Sequence, residues 1–403
     1  MTIDVTERCN LACAYCYKGP AGSKGVDIPS VLRTMEVLWP VITEHGGLTV
    51  AFMGGEPLIA LDDALRLASE LSRRCSNKGL SFSWSMTSNL TLLTPERATR
   101  VLKAGGAFHC SVDGCPVSHD RNRPYAGGRG SSSTVMQHVD ILRERGALRG
   151  ARMTVTPATV GQMFDGVRHL QSLGFTTIAA FPAFDRQTWS SDLLLVVQEQ
   201  TRLIGEARLT QFASLSRLHP IDSYARLLLH PPAGDGYHCG ACHSFLGIDI
   251  HGRIFPCHRF TGQSNWEGYE LRTLDGEGPG SWSQLRALFN TREVPERCHR
   301  CPALGACRGG CWAENLSATG TLSEPAEISC AYNLALLRGI EASGLRAESF
   351  AAAGSCNFCN PCIMCDICLI CNGCNNCDIC DRCNEGGWRG LNDGGCAVPA
   401  GSV

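Results

Sequence analysis

Apolar positions along this chain recur at two spacings. Up to about residue 181, short β-branched and apolar runs occur at 2–5, 48–52, 80–85, 107–112, 152–156 and 177–181, and they read as strands. Between them, over 29–45, 61–78, 94–104, 132–145 and 160–173, apolar residues fall three and four apart, which lines one face of a helix. Strand–helix alternation predicts a parallel sheet with helices packed outside it. Six such units suit a partial barrel better than a closed eight-fold one, so the expected class is α/β, a partial (β/α)6 TIM-like barrel. In such folds the reacting groups stand at the C-terminal ends of the strands. Residues 182–231 continue as leucine-rich helix, with runs at 192–204 and 224–229, and Pro231-Pro232 marks a boundary. The expected organisation is a barrel over 1–231, a second domain over 232–341, a small-residue linker over 342–354 and an irregular tail over 355–403.

Composition changes this picture at one point. With 403 residues, 44% apolar content and a formal charge of −2, the chain can bury a large core, and its charge gives no reason to expect nucleic acid. No apolar run approaches the ~18 residues of a membrane span. The first residues, Met1-Thr2-Ile3-Asp4-Val5-Thr6, lack the basic and apolar regions of a signal peptide. The 25 cysteines carry the chemistry. In a small secreted chain they would be a disulfide framework; in a long chain without an export signal they point to a reducing, cytoplasmic setting and to thiolates on metal. Three groups hold nearly all of them. Cys75 and Cys110 read as ordinary buried thiols and Cys115 as a loop residue of no evident role.

The first group follows strand one as Cys9-Asn10-Leu11-Ala12-Cys13-Ala14-Tyr15-Cys16. Three thiolates can hold three irons of a 4Fe–4S cube and leave the fourth open to a chelating small molecule, whereas a four-thiolate cluster only passes electrons. A zinc site would want a fourth ligand nearby, and none follows until His45 and Cys75. Strand two runs into Met53-Gly54-Gly55-Glu56-Pro57, where glycines permit close backbone approach or simply a tight turn. Strand four ends at Ser111-Val112-Asp113-Gly114, followed by His119-Asp120 and Arg123. Arg152 opens strand five, placed either to fork onto a carboxylate or to form a surface ion pair. The second group runs Cys242-x9-Gly252-x4-Cys257, then Cys298-x2-Cys301-x5-Cys307-x3-Cys311, then Cys330. Seven thiols, or eight with Cys239, are too many for one zinc and suit two further 4Fe–4S clusters; a zinc ribbon is the alternative.

Together these stretches resemble radical S-adenosylmethionine (radical SAM) enzymes with a C-terminal SPASM domain, in the peptide-modifying branch related to anaerobic sulfatase-maturing enzymes. The resemblance rests on the first cysteine stretch with Tyr15 before its last thiol, the Gly-Gly-Glu-Pro turn, the strand ends at Thr87-Ser88-Asn89 and 111–123, and the cysteine spacing from 242 to 330. It implies that Cys9, Cys13 and Cys16 bind a cluster whose open iron chelates SAM. It assigns Gly54, Gly55 and Glu56 to the SAM amino group, and Ser111 and Arg123 to other SAM contacts. Tyr15, Asp113 and Arg152 join them as expected cofactor-binding residues, with a loop-capping role open for Asp113. It places Cys242, Cys257 and Cys311 on a first auxiliary cluster and Cys298, Cys301, Cys307 and Cys330 on a second. Sulfatase-maturing relatives supply the first cluster's fourth ligand six positions before Cys242, where this chain has Gly236; Cys239 is the nearest substitute. Without it, that iron would be open to a substrate thiolate. Those relatives also carry a proton-accepting Asp after the Cys257 equivalent, where this chain has His258, either a general base or a structural hydrogen-bonding group.

The tail repeats a cysteine at every third position from Cys356 to Cys383, and Asn or Asp follows in eight of ten cases. Only an extended three-residue coil would line such thiols along one edge. The tail reads as a fused peptide substrate, raised to roughly millimolar local concentration, as a soft-metal or thiol store, or as a segment with little role. The expected activity is reductive SAM cleavage, with a 5′-deoxyadenosyl radical attacking a peptide to form cysteine thioether crosslinks. Formylglycine formation and carbon–carbon crosslinking are alternatives, and a non-catalytic iron–sulfur or metal-binding protein is the alternative of another class. Expected cofactors are SAM and three 4Fe–4S clusters; expected partners are a peptide, possibly the chain's own tail, and an electron donor such as flavodoxin or ferredoxin.

Overall fold

Each barrel helix begins and ends where its own sequence dictates. In the helix Pro95–Lys103, Thr94 caps the start by accepting from Arg97 N at 3.2 Å, and Pro95 fills the first turn, where no amide is needed. The helix Leu61–Asn77 buries Leu61, Ala64, Leu67, Ala68, Leu71 and Cys75, the stripe its spacing demands, with Asp62 and Asp63 in its first turn and Arg74 in its last. Each fully buried leucine of that stripe contributes about 1.5–3 kcal/mol over an exposed one.

These elements belong to a computed structural model that describes residues 1–229, 239–263, 266–290 and 295–345. Nine strands form one sheet: β1 (Thr2–Thr6), β2 (Gly47–Gly54), β3 (Ser81–Ser88), β4 (Gly106–Ser111), β5 (Gly150–Val155), β6 (Thr177–Pro182), β7 (Arg217–His219), β8 (Gly247–Ile248) and β9 (Ile254–Phe255). Their order is β7-β6-β5-β4-β3-β2-β1-β8-β9, parallel throughout except for the β8–β9 hairpin. The protein is thus α/β with an open, partial barrel, and the six expected strands and five expected helices are present close to their expected bounds. Ile3 and Val5 of β1 join the core under the helices, so alternation along the strand turns Thr2, Asp4 and Thr6 to the opposite, inner face.

Features not anticipated include β7, the β8–β9 hairpin and the helices Pro116–Asn122, Trp282–Asn290, Trp312–Thr319 and Glu327–Ser343. The hairpin carries the second cysteine segment onto the barrel. Thr2 N donates to Leu246 O at 2.8 Å, and Asp27 N donates to Ile250 O at 2.8 Å. Gly252, the glycine of the cysteine pattern, turns this hairpin at φ +79° and lies against Ser30, where a Cβ would come within 2.8 Å of the backbone. Farther on, the helix Glu327–Ser343 packs on the helix Ser191–Ala207; a Cβ on Gly339 would sit 2.5 Å from Gln198 O. The expected linker's later part, the tail with its repeated cysteines, and Gly236 lie outside the described residues.

Burial shapes the acid response of this fold. The rings of His109 and His119 are buried and pushed down to about 4, and His219 to about 3. Above about pH 6.5 they are neutral in folded and unfolded chains alike, so they add no pH dependence there. Below it the unfolded chain takes up protons that the folded chain refuses, so stability falls as pH falls toward about 4. We expect roughly 1 kcal/mol lost per pH unit for each ring. Urea midpoints of the metal-free chain between pH 7 and 5 measure this, and His109→Leu should flatten the slope.

Candidate functional site

The loop after β1 is seated by backbone on backbone. Gly55 N donates to Thr6 O at 2.7 Å and Glu56 N to Arg8 O at 2.8 Å. A Cβ on Gly55 would lie 2.1 Å from Arg8 O, and one on Gly54, at φ +123°, 2.3 Å from Thr6 O. The missing side chains therefore admit the chain's own residues 6–8, directly before Cys9. Beyond that point Ala12 N donates to Pro124 O at 2.8 Å and Ala14 N to Asn122 O at 3.0 Å, which fastens the thiol loop to the segment after β4.

Cys9, Cys13 and Cys16 are each half-buried on this loop and none is disulfide-bonded. Burial pushes the Cys13 thiol up to about 12, with Arg123 opposing and Asp113, Cys16 and Cys9 adding to the rise. Cys9 is raised by burial too, with smaller contributions from Glu56 and Cys16. Cys9 and Cys13, both raised, are protonated when bare, so loading them with metal must release protons. Among the described residues, no three His, Cys, Asp or Glu side chains converge as a single metal ion would require. Three unbridged soft donors on one loop, bordered by a buried arginine, fit the three-thiolate set of a 4Fe–4S cube.

Glu56 is fully buried. Its Oε1 accepts from Leu58 N at 3.0 Å and Ser88 Oγ at 2.7 Å, and its Oε2 from Asn89 N at 2.7 Å, tying the end of β2 to that of β3. Desolvation raises its pKa against those hydrogen bonds. Asp113 is the hub of the β4 end. It accepts from Tyr15 Oη at 2.8 Å and Thr154 N at 2.9 Å, and it pairs with Arg123 at 3.0 Å. Three protein partners support the loop-anchoring role for this carboxylate. The Arg123 guanidinium also stands 5.3 Å from the Tyr15 ring. Ser111 is buried opposite Arg152 across β4 and β5. Arg152 is half-buried, 4.5 Å over the Phe181 ring, and desolvation lowers it to about 10.

The second cysteine group sorts into two sets. Burial dominates every shift, and the smaller terms show which thiols are neighbours. Cys242 feels Cys257 and Cys239; Cys257 feels Cys239; Cys311 feels Cys239 and Cys257. Cys307 feels Cys330 and Cys298, and Cys330 feels Cys298 and Cys301. Cys307 and Cys311 fall in different sets because Arg308, Gly309 and Gly310 between them all take positive φ, at 45°, 87° and 77°, and reverse the chain. Cys239 keeps company with the first set.

His258 sits in an enclosed, largely aromatic setting. It is buried, ringed by Tyr17 at 6.0 Å and Phe245 at 5.7 Å, and burial with Arg152, Arg259 and Lys18 nearby holds it well below its ordinary pKa. Around it stand charges that sequence reading passed over. Lys18 Nζ reaches Asp4 Oδ2 at 2.6 Å and Thr261 Oγ1 at 2.8 Å, Arg259 pairs with Asp185 at 2.7 Å, and Glu314 accepts from Ser329 Oγ at 3.2 Å. Asp4 was legible in principle, since a charge on the inner face of a first strand is unusual.

Residues 3–181 match the family model described as the Radical SAM superfamily. The chain is similar to the cysteine-type anaerobic sulfatase-maturating enzyme of Clostridium perfringens, 22% identical over 75% of this chain and 85% of the relative. Its fold matches native anSMEcpe with bound AdoMet and Cp18Cys peptide at a TM-score of 0.69, 19% identity, over 88% of this chain and 99% of that one. It also matches Streptococcus suis SuiB bound to precursor peptide SuiA at a TM-score of 0.57, 16% identity, over 82% and 75%.

Removing the hub carboxylate tests this architecture. Asp113→Ala leaves Arg123 buried without its partner and should cost about 3–5 kcal/mol of stability. Asp113→Asn, which keeps a hydrogen-bonding group, should cost less. Chemical denaturation of the metal-free chain compares the two.

Proposed function

We propose that this chain is a radical SAM peptide maturase. The observation that carries the reading is the trio of half-buried thiols, Cys9, Cys13 and Cys16, on the loop after the first strand, in a region with buried Glu56 and Arg123 and half-buried Arg152. These thiols would hold the cluster, Glu56 and the Gly54-Gly55 turn would border the amino group of SAM, and Ser111, Arg123 and Arg152 would line the rest of its seat. When bound, cluster and SAM supply a hydrogen-abstracting radical; the protein's part is to seat the reactants and exclude water. An electron donor such as flavodoxin or ferredoxin would feed the site.

Cys239, Cys242, Cys257 and Cys311 would close a first auxiliary cluster with four thiolates, and Cys298, Cys301, Cys307 and Cys330 a second, within a SPASM-type domain following the barrel. Asn333 Nδ2 donates to Cys307 Sγ at 3.4 Å and would steady that ligand. A first cluster closed by Cys239 has no iron left for a substrate thiolate. That supports electron acceptance rather than thiolate binding, and so oxidation of a cysteine or serine side chain to formylglycine rather than the thioether crosslink expected from sequence. Similarity to sulfatase-maturating enzymes of both the cysteine and serine types supports the same order. The thioether reading keeps one support, His258 in place of the proton-accepting aspartate. The cysteine-rich tail stays a candidate substrate in either case.

No helix among the described residues is long and apolar enough to cross a membrane.

Anaerobic reconstitution with iron, sulfide, reductant and SAM tests the reading. The wild-type chain should form methionine and 5′-deoxyadenosine, and the triple variant Cys9→Ala, Cys13→Ala, Cys16→Ala should fall to the protein-free level. Intact mass of the tail, or of an added Cys-containing peptide, separates formylglycine from crosslink. A reconstituted wild type that leaves SAM whole would show an iron–sulfur carrier instead.

A further inference from the structure

Oxidising a cysteine or serine side chain to an aldehyde requires that its thiol or hydroxyl proton be taken. His258, which stands where sulfatase-maturing enzymes carry their acceptor, is packed between two aromatic rings with three cations around it. Three other carboxylates stand in this interior. Asp185 is engaged by Arg259 at 2.7 Å, and Glu314 accepts from Ser329 while facing Arg259. Asp4 differs. Its Oδ2 is fixed by Lys18 at 2.6 Å, whereas its Oδ1 is buried with no hydrogen-bond partner. The Tyr17 hydroxyl is likewise buried without a partner, and the same Lys18 stands 5.5 Å from the Tyr17 ring. Two such orphaned polar atoms about one ammonium are costly in a finished interior and mark a place meant for another polar group.

We propose that Asp4 is the proton acceptor of this enzyme, with Lys18 holding its far oxygen and Tyr17 bordering the seat of the substrate's thiol or hydroxyl. The inference rests on the maturase reading above. In the step, a hydrogen atom leaves the substrate Cβ for the SAM-derived radical. The S–H or O–H proton passes to Asp4 Oδ1, and the remaining electron leaves to a one-electron acceptor of the iron–sulfur class. A C=S or C=O bond forms, and water hydrolyses the C=S product to the aldehyde with release of sulfide. The ammonium holds Oδ2 and leaves Oδ1 to face the substrate; Thr261 Oγ1, 2.8 Å from Lys18, fixes that ammonium from the second segment.

The test uses the reconstituted full chain, with the Cp18Cys peptide as added probe and the chain's own tail read in parallel. The measured quantity is aldehyde formed per 5′-deoxyadenosine. Asp4→Asn should lower this ratio about 100-fold or more, while deuterium from a β-deuterated peptide still enters 5′-deoxyadenosine. Asp4→Glu should recover part of it, and formate added to Asp4→Ala should do the same, so the outcome does not hang on one variant's folding. A ratio unchanged in folded Asp4→Asn would mean that Oδ1 holds only a buried water, and would overturn the proposal. Loss in Glu314→Gln or Asp185→Asn instead of Asp4→Asn would overturn it as well. If the wild type makes 5′-deoxyadenosine but no aldehyde from either probe, the formylglycine reading has failed and this inference with it; if it makes neither, the radical SAM assignment of the thiol trio has failed first.

Discussion

The contact between the end of β2 and residues 6–8 fixes everything downstream in this molecule. Two carbonyls of the first strand's exit accept the amides of Gly55 and Glu56, at a separation that leaves no room for a Cβ on either glycine. The exit direction of β1 is thereby set, and with it the height of the thiol loop above the sheet. From the same turn Glu56 reaches across to Ser88 and Asn89, so three strand ends are locked by one short segment. A loop that must present three thiolates to one cube needs that rigidity, because misplacement by an ångström would lose a ligand.

The second constraint is charge inside a barrel. Arg123, Arg152, Arg259 and Lys18 are drawn into a region that also holds Asp4, Asp113 and Asp185. Burial alone would forbid most of these ions; pairing makes them tolerable and also orders the loops that carry them. Asp113 binds the thiol loop through Tyr15, β5 through Thr154 N and the following helix through Arg123. Lys18 and Thr261 join the thiol loop to the segment that carries Cys257. The two cysteine regions are therefore joined through fixed charges.

Much of this was legible in the sequence. Strand and helix periods gave the barrel because its helices are long and carry wide apolar stripes, as the Leu61–Asn77 helix does. The hairpin β8–β9 escaped notice because two-residue strands show no alternation, and β7 because three residues show little. Among candidate site residues, the cysteines stood out by their spacing. The role of Gly54 and Gly55 was half readable: close approach was expected, but the approaching backbone is the chain's own. Asp113 left two roles open until its three partners appeared. Arg259, Lys18 and Tyr17 were not readable, since nothing in their local sequence shows that residues over two hundred positions apart meet around one ring.

The placement of Cys239 decides more than a ligand count. The resemblance implies a further cysteine at 236, where this chain has glycine, and a cluster on Cys242, Cys257 and Cys311 alone would be one thiolate short and open to a substrate sulfur. Yet Cys239 lies with Cys242, Cys257 and Cys311, and Cys242 adopts φ +56° at the turn that brings them together. A non-glycine residue spends energy to hold that conformation, which argues that the turn is built around the thiols rather than the reverse. On the proposed reading, a closed set of four would keep the substrate's sulfur off iron, free to lose its proton to a carboxylate while the electron leaves by another route.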